Sequence, residues 1–263
     1  MKPLVALGKL GLPALLLAGL VHGQVLFTEN FESYTNGSNL FGQGGWTGQN
    51  SGPNEFIVVG NGTYLSGIVA ARRGETAIFN ISFGRHALSS ALSTAQITTL
   101  SFDAWGTTDS PASTNSGLGF IRQSDSVFAN PLASWTAVAT GWDLDLRGIT
   151  GNAGDYLTGV VGFNIPVVFE IVIDGPAGQV YGRYNPNGAG FTQTASYAIS
   201  PAMIASIDAT ILFIDYQTNV SRGVAEFDNI SVQAVPEPST YALLFGLAAL
   251  VGTAIRRRHL ARN

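Results

Sequence analysis

The chain of 263 residues contains no cysteine, and this absence excludes several kinds of site. Disulfide bridges, thiolate metal centres and cysteine nucleophiles cannot form. The stability of the fold must therefore come from buried apolar area, with a bound ion as the other available source.

Histidine is also scarce, with three residues in the whole chain. His22 and His259 lie in the two terminal segments, so only His86 remains between them. A multi-histidine metal centre is therefore excluded, and a Ser-His-Asp triad would depend on this one residue. We interpret His86 as an ordinary loop histidine, and we predict a protein that is not an enzyme.

Lysine is missing from residues 24–234. Six of the 13 basic residues lie in the terminal segments, which leaves seven arginines against 16 acidic residues and a net charge of −9. Such a charge disfavours binding to nucleic acid or to anionic membrane surfaces. It suits cations, or neutral polymers such as polysaccharide.

The N-terminal segment Met1–Gly23 has the pattern of a secretory signal peptide. Lys2 and Lys9 supply the positive charge, the apolar run Leu10–Val21 follows, and cleavage is expected before Gln24. An uncleaved membrane anchor is the alternative, but twelve apolar residues are short for a span. The segment predicts export.

The C-terminal tail, residues 235–263, has three parts. Pro236-Glu237-Pro238 precedes the uncharged run Tyr241–Ile255, and Arg256-Arg257-Arg258 follows it. The prolines stop a helix from extending backwards, and the run reaches roughly 22 Å as a helix. Flanking polar residues and snorkelling arginines could complete a ~30 Å span. The tail therefore predicts a single transmembrane helix, with its arginines on the cytoplasmic side and the body outside.

These three parts, in this order, resemble the PEP-CTERM sorting signal of Gram-negative bacteria. The residues that carry the resemblance are Pro236, Glu237, Pro238, Arg256, Arg257 and Arg258. The resemblance implies that an exosortase-type membrane protease cuts near Pro-Glu-Pro. The inner-membrane anchor is then transient, and the product reaches the cell surface or the extracellular matrix. An ordinary C-terminal membrane anchor is the alternative.

Residues 24–234 predict one all-β domain. Short runs of β-branched and aromatic residues alternate with clusters of turn-forming residues, which favours an antiparallel β-sandwich. Helical exceptions are expected at Ser89–Ala95 and Pro201–Ser206. The predicted strands are Phe56–Val59, Thr76–Phe83, Thr98–Trp105, Gly117–Gln123, Trp135–Asp143, Tyr156–Val161, Val167–Asp174, Gln179–Tyr184, Ala209–Tyr216 and Gly223–Gln233.

The two ends of this domain, Phe27–Tyr34 and Glu226–Val232, resemble the first and last strands of concanavalin-like jelly rolls, which include laminin-G-like domains. The resemblance implies a jelly roll with one structural calcium ion shared by these strands. Calcium takes six to eight oxygen ligands. The alternative is that these polar residues face solvent on edge strands. The implied ligands are Glu29, Asn30, Glu32 and Asp228.

The resemblance also bears on catalysis. Jelly-roll glycosidases of the laminarinase type carry a Glu-x-Asp-x-x-Glu pattern that places a nucleophile and an acid on one strand face. The corresponding stretch here, Glu226–Ser231, lacks the final glutamate. This departure from the pattern argues against hydrolase activity, and a polysaccharide hydrolase or lyase that uses carboxylates on the concave face is kept as the alternative function.

Two further sets of residues are candidates for chemistry. Asp143 and Asp145 share a strand face with Arg147, which indicates a salt-bridged surface or, as the alternative, an ion site or an acid/base pair. Aromatic and polar residues on outward-facing strand positions could bind a neutral glycan on a concave face, although a tryptophan in a sandwich more often packs in the core. The glycan candidates are Asp103, Trp105, Glu170, Tyr181 and Arg183.

The sequence as a whole therefore predicts an exported, non-enzymatic jelly-roll protein of the cell surface or the extracellular polysaccharide matrix. Its role would be structural or glycan-binding, and a matrix protein without any ligand is a third possibility. Expected partners are the sorting protease, the inner membrane for a limited time, and extracellular polysaccharide.

Overall fold

A computed structural model describes residues 23–50, 57–62, 65–72, 81–106, 114–125, 131–138, 141–216, 225–236, 246–247 and 249–253. Val25–Ala234 form one compact unit, and the terminal segments Met1–Gln24 and Val235–Asn263 are assigned to another.

Alternation of buried and half-exposed residues marks several strands of the body, whereas Ala133–Val138 and Gly141–Asp145 are buried on both faces over most of their length. The strand Gln96–Gly106 buries Leu100, Phe102 and Ala104, while the residues between them stay half-exposed. Successive side chains on a strand point to opposite faces, so one face of this strand enters the core.

Seventeen strands and two short helices make up the described body. They are β1 (Gln24–Glu29), β2 (Ser38–Asn39), β3 (Thr47–Asn50), β4 (Ile57–Asn61), β5 (Ile68–Arg72), β6 (Ile81–Ala87), β7 (Gln96–Gly106), β8 (Thr114–Ile121), β9 (Ala133–Val138), β10 (Gly141–Asp145), α1 (Arg147–Thr150), β11 (Tyr156–Val161), β12 (Val167–Asp174), β13 (Gln179–Pro186), β14 (Thr192–Gln193), β15 (Tyr197–Ala198), α2 (Pro201–Ser206), β16 (Ala209–Tyr216) and β17 (Ala225–Pro236).

The strands form two sheets. The first sheet has the order β14-β13-β12-β7-β17-β5-β4-β2, with β1 also paired to β17 and β15 to β13. The second sheet has the order β11-β10-β9-β8-β16-β6-β3. All pairs with a described register are antiparallel. The predicted all-β antiparallel sandwich is therefore confirmed.

Large aromatic side chains join the two sheets. Phe169 of the first sheet stacks on Trp135 of the second with ring centroids 4.5 Å apart, and it lies 5.0 Å from Trp142. Trp142 also meets Phe227 edge-on at 5.9 Å. All four side chains are at most 1% exposed. Aromatic pairs of this kind stabilise a core beyond their buried area, by about 0.5–1.5 kcal/mol each.

Two predicted elements differ from the structure. The predicted strand Trp135–Asp143 is two strands, β9 and β10, which pair as a hairpin with Gly141 at a φ of 143°. The predicted helix Ser89–Ala95 is irregular, because its backbone bonds to distant residues instead: Ser89 N donates to Leu26 O and Leu92 N to Ile207 O. Neither prediction could include these long-range partners.

The second predicted helix, Pro201–Ser206, is confirmed as α2. Ser200 caps it, because its hydroxyl accepts a hydrogen bond from Met203 N at 3.2 Å, and Pro201 lies in the first turn. Both features are typical of a helix start.

Of the tail, residues 246–247 and 249–253 are helical. Within the part of the chain that the structure describes, no helix has the length and apolar character needed to span a membrane. The predicted signal peptide, most of the apolar run, Glu237, Pro238 and Arg256–Arg258 lie outside the described residues, so those assignments remain predictions.

A glycine in the core provides a test of the packing. A Cβ atom added at Gly182 of β13 would lie 2.6 Å from Leu144 Cδ2 and 2.7 Å from Trp135 Cζ2. Overpacking of this kind costs about 1–3 kcal/mol, so Gly182→Ala should lower the free energy of unfolding by that amount. Urea unfolding of residues 24–236, followed by tryptophan fluorescence, measures the change.

The matched control for this test is Gly162→Ala, since nothing lies within 4 Å of a Cβ atom there. Its unfolding midpoint should stay close to that of the parent protein. Equal midpoints for both variants would contradict the packing between β13 and the second sheet.

Candidate functional site

The strand register brings four of the five predicted glycan residues onto the outer face of the first sheet. Glu170 of β12 lies between Ser101 of β7 and Arg183 of β13. One position along the strands, on the same face, Tyr181 pairs with Val172. On the other side of Glu170, Asp103 pairs with Val168. We call this surface the outer face.

An ion pair crosses the middle of the outer face. Arg183 Nη1 lies 3.2 Å from Glu170 Oε2, and the Glu170 side chain is only 13% exposed. Burial raises the pKa of Glu170, and the Arg183 cation partly offsets that rise. Directly opposed charges on neighbouring strands stabilise the sheet modestly, by about 0.2–1 kcal/mol.

The predicted exposure of Trp105 is wrong. Trp105 is 4% exposed although it shares a strand face with Asp103, and the other three tryptophans are buried as well. No tryptophan of this chain therefore presents a ring for stacking on a sugar. Alternation along β7 predicted its face correctly and could not show that other parts of the chain cover it.

An exposed aromatic ring near the outer face is that of Phe191, which sequence reasoning missed. Its side chain is 42% exposed, and the Arg183 guanidinium carbon lies 4.5 Å from its ring centroid. Phe191 precedes the short strand β14, which pairs with β13 beside Arg183. A single aromatic residue after a glycine-rich turn has no periodic signal, and its exposure alone identifies it.

A depression of about 200 Å³ adjoins the outer face at Asp103. Val168 and Asn185 line it from β12 and β13, and Asn187 lines it from the following turn with a φ of 51°. Its lining therefore combines a carboxylate, two amides and apolar surface. These are the groups that small polar ligands use for orientation and contact.

The predicted calcium residues lie at the pairing of β1 with β17. Both oxygens of Glu29 are already engaged there: Oε1 accepts from Phe31 N at 2.8 Å, and Oε2 accepts from Trp46 Nε1 at 3.1 Å and from the Tyr34 hydroxyl. Burial and the Glu29 carboxylate raise the pKa of Tyr34. Glu29 thus fixes the loop that follows β1.

Asp228 is the buried carboxylate of this edge, at 5% exposure. Burial, together with the charges of Asp103, Glu32 and Glu29, raises its pKa from 3.8 to about 6, although the hydrogen bond from Asn229 N opposes the rise. Three other carboxylates therefore lie within electrostatic range of Asp228.

These residues do not converge as a ligand set. Among the residues described, no group of three or more His, Asp or Glu side chains is placed to hold a metal ion. Glu29 faces three hydrogen-bond donors, and Asp228 Oδ1 accepts from a backbone amide. A calcium ion at this edge stays a prediction.

The Asp143–Asp145 pair is a structural feature. Asp145 forms an ion pair with Arg147 at 2.6 Å, which confirms the predicted salt bridge. Asp143 is buried and accepts hydrogen bonds from the Tyr156 hydroxyl at 2.5 Å and from Gly159 N at 2.7 Å. Both carboxylates therefore hold β11 and α1 against β10.

His86 lies in strand β6, which corrects its predicted place in a loop. Its ring stacks on Phe27 with centroids 4.3 Å apart. Nε2 lies 2.9 Å from Gly44 O and Nδ1 2.7 Å from Ala87 O. Because both ring nitrogens face backbone carbonyls, His86 packs the 40–46 loop against β6.

Comparison with known proteins supports two separate statements. Residues 234–258 match the PEP-CTERM protein-sorting motif, which confirms the resemblance of the tail. The motif implies export and membrane-associated sorting, with exosortase processing as the general kind of partner. No curated protein sequence matches the chain.

Several solved lectin structures have a similar fold. The lectin UEA-II complexed with galactose has a TM-score of 0.54 at 6% identity, over 81% of this chain and 100% of that chain. Peanut lectin with a nine-residue peptide has a TM-score of 0.52 at 8% identity, over 80% and 97%. A protein of unknown function from Shewanella oneidensis has a TM-score of 0.52 at 10% identity, over 90% and 97%. The chain thus carries a PEP-CTERM sorting motif, and its body has a jelly-roll fold similar to the fold of these lectins.

The raised pKa of Asp228 predicts a pH-dependent stability. A carboxyl group whose pKa rises on folding favours the folded state only while protonated, so this contribution is present below about pH 4 and lost through about pH 6. Asp228→Asn should therefore stabilise the body at pH 7, by up to about 3 kcal/mol for a shift of two pKa units. Urea unfolding at pH 7 and at pH 3.5 measures it.

The difference between Asp228→Asn and the parent protein should vanish at pH 3.5. Asp125→Asn is the control, since this residue belongs to a partly exposed ion pair with Arg122. It should change stability by less than about 1 kcal/mol. A stabilisation by Asp228→Asn that is equal at both pH values would contradict the charge argument.

The calcium prediction is tested by chelation. An ion that binds only the folded state stabilises it, so a bound calcium ion means that EDTA lowers the melting temperature and added calcium restores it. Glu32→Gln should abolish this shift, whereas Asp145→Asn should leave it intact. If EDTA leaves the melting temperature unchanged, the prediction of a structural calcium ion at this edge is wrong.

Proposed function

We propose that the body binds a neutral glycan through the outer face and does not cleave it. The observation that carries this proposal is the arrangement of Arg183, which contacts Glu170 on one side and the exposed ring of Phe191 on the other. An apolar ring beside fixed hydrogen-bonding groups matches a sugar, which has apolar CH surfaces and hydroxyl groups.

The polar side chains of the outer face are held in place before a ligand binds. The Arg183 guanidinium offers several donors in one plane, and its ion pair with the largely buried Glu170 carboxylate holds it in place. Tyr181 and Asp103 extend the polar surface to both sides along the strands. Little side-chain freedom would be lost when a ligand binds, which favours affinity.

Charge favours a neutral ligand over an acidic one. Arg183 is the cation of the outer face, and it is already paired with Glu170. Asp103 and the net charge of −9 on residues 24–234 would repel uronic acids and sulfated sugars. We therefore assign the outer face to a neutral polysaccharide.

The sorting motif supports a cellular location for the proposed glycan binding. It begins at residue 234, within the last strand of the body, since β17 continues to Pro236. We propose that the signal peptide directs export, that the tail anchors the chain to the inner membrane for a limited time, and that processing delivers the body to the surface or the matrix. There it would hold polysaccharide.

Binding and cleavage can be measured on the same samples. Affinity electrophoresis of the full chain in a detergent without sugar groups should show retardation by at least one of laminarin, xyloglucan, galactomannan and dextran. Alginate should cause none, and chromatography should detect no released oligosaccharides. Phe191→Ala should weaken binding at least about tenfold, equivalent to about 1.4 kcal/mol.

Val25→Ala is the matched control, since Val25 is an apolar residue with 55% exposure on β1, and the outer face is built on β7, β12 and β13. It should bind like the parent protein. Released oligosaccharides would replace this proposal with a hydrolase or lyase, and retardation by none of the neutral polymers would leave the body a matrix component without a glycan ligand.

A further inference from the structure

A second cavity lies between the loop after β1 and strand β17. Its volume is about 510 Å³, within the range of about 300–1,000 Å³ that is typical of ligand pockets. We call it the edge pocket. Its lining includes Thr28, Asn30, Ser33, Tyr34, Asn229 and Ser231.

The walls of the edge pocket are held in place by hydrogen bonds behind them. Tyr34 donates its hydroxyl to Glu29, and Trp46 Nε1 donates to the same oxygen. On the other wall, Asn229 has a φ of 49° and donates Nδ2 to Asp103 Oδ2 at 2.8 Å. The cavity is therefore formed before any ligand arrives.

The groups that face the edge pocket are neutral hydrogen-bonding groups beside one aromatic ring. The hydroxyls of Thr28, Ser33 and Ser231 make no hydrogen bond to the described part of the chain, and Asn30 uses only its Oδ1, which accepts from Glu32 N. Together these side chains offer hydrogen-bond donors and acceptors at several positions on the pocket wall, and the Tyr34 ring adds an apolar surface. A sugar residue presents the complementary groups.

The charges around the cavity decide between classes of sugar. Glu29 lines it, and Asp228 nearby lies within electrostatic range of Glu29, Glu32 and Asp103. No arginine is among the lining residues of this cavity. An acidic sugar would be repelled, and a neutral one would not.

We propose that the edge pocket binds one residue of a neutral glycan. The hydrogen bond from Asn229 to Asp103 joins this pocket to the outer face, because Asp103 belongs to that face. The pocket is thus a subsite next to the proposed glycan surface. The choice of a neutral glycan as the ligand rests on the proposed function. The pocket itself can be tested independently, because a single sugar is small enough to bind there without the outer face.

Saturation-transfer NMR on the full chain, in micelles of a detergent without sugar groups, tests this proposal. The probes are glucose, galactose, mannose and N-acetylglucosamine, with glucuronic acid as the charged comparison. At least one neutral probe should receive saturation, and glucuronic acid should receive none. Thr28→Trp, at an exposed strand position of the pocket, should abolish the signal by filling the cavity.

Two further variants distinguish sugar binding in the edge pocket from binding elsewhere on the body. Ser89→Trp adds the same bulk at an exposed position outside the lining and should keep the signal. The double variant Asn30→Ala/Ser33→Ala removes donors without adding bulk and should weaken binding at least about tenfold. Near-ultraviolet circular dichroism verifies that each variant keeps its tertiary packing.

The following results would contradict the proposed binding of a neutral sugar in the edge pocket. Saturation of none of the neutral probes, or a signal that Thr28→Trp leaves unchanged, would overturn the inference. A signal that Phe191→Ala abolishes and Thr28→Trp preserves would place binding on the outer face, so the proposed function would stand without this subsite. Equal saturation of glucuronic acid would refute the neutral class.

Discussion

The contact of Phe169 with Trp135 and Trp142 is the interaction on which the rest of the body depends. The chain has no disulfide to join its two sheets, so buried aromatic and aliphatic surface must hold them together. Gly182 lets the sheets approach at this point, since a side chain there would meet Trp135. Loss of this contact would weaken the packing of β12, the strand that carries the centre of the outer face, against the second sheet.

The same packing positions the polar residues. Phe169 and Ile171 are fully buried on either side of Glu170, so alternation directs Glu170 outward towards Arg183. Pre-organisation of a binding surface follows from the core behind it, because residues on strands have little freedom to move. Phe191 completes the surface from a turn that the hairpin of β13 and β14 holds in place.

Where β1 pairs with β17, the fold places carboxylates in positions that are unfavourable for stability. Burial of Asp228 is the main reason why its pKa rises to about 6, and the charges of Asp103, Glu32 and Glu29, brought near by the pairing of β17 with β7 and β1, add to that rise. A body optimised for stability alone would avoid this repulsion. Binding sites commonly retain such unfavourable charges, which is consistent with a ligand role for the neighbouring pocket.

The sequence alone determined the features that depend on local pattern: the all-β class, the bounds of the strand Val167–Asp174, the helix at Pro201–Ser206 and the PEP-CTERM tail. Alternation also predicted which strand face Glu170 and Asp103 occupy. Only the tertiary structure decided that Trp105 is covered and that Phe191 is exposed. The physical reason is that a strand period specifies a direction for each side chain, whereas burial depends on distant segments that pack against it.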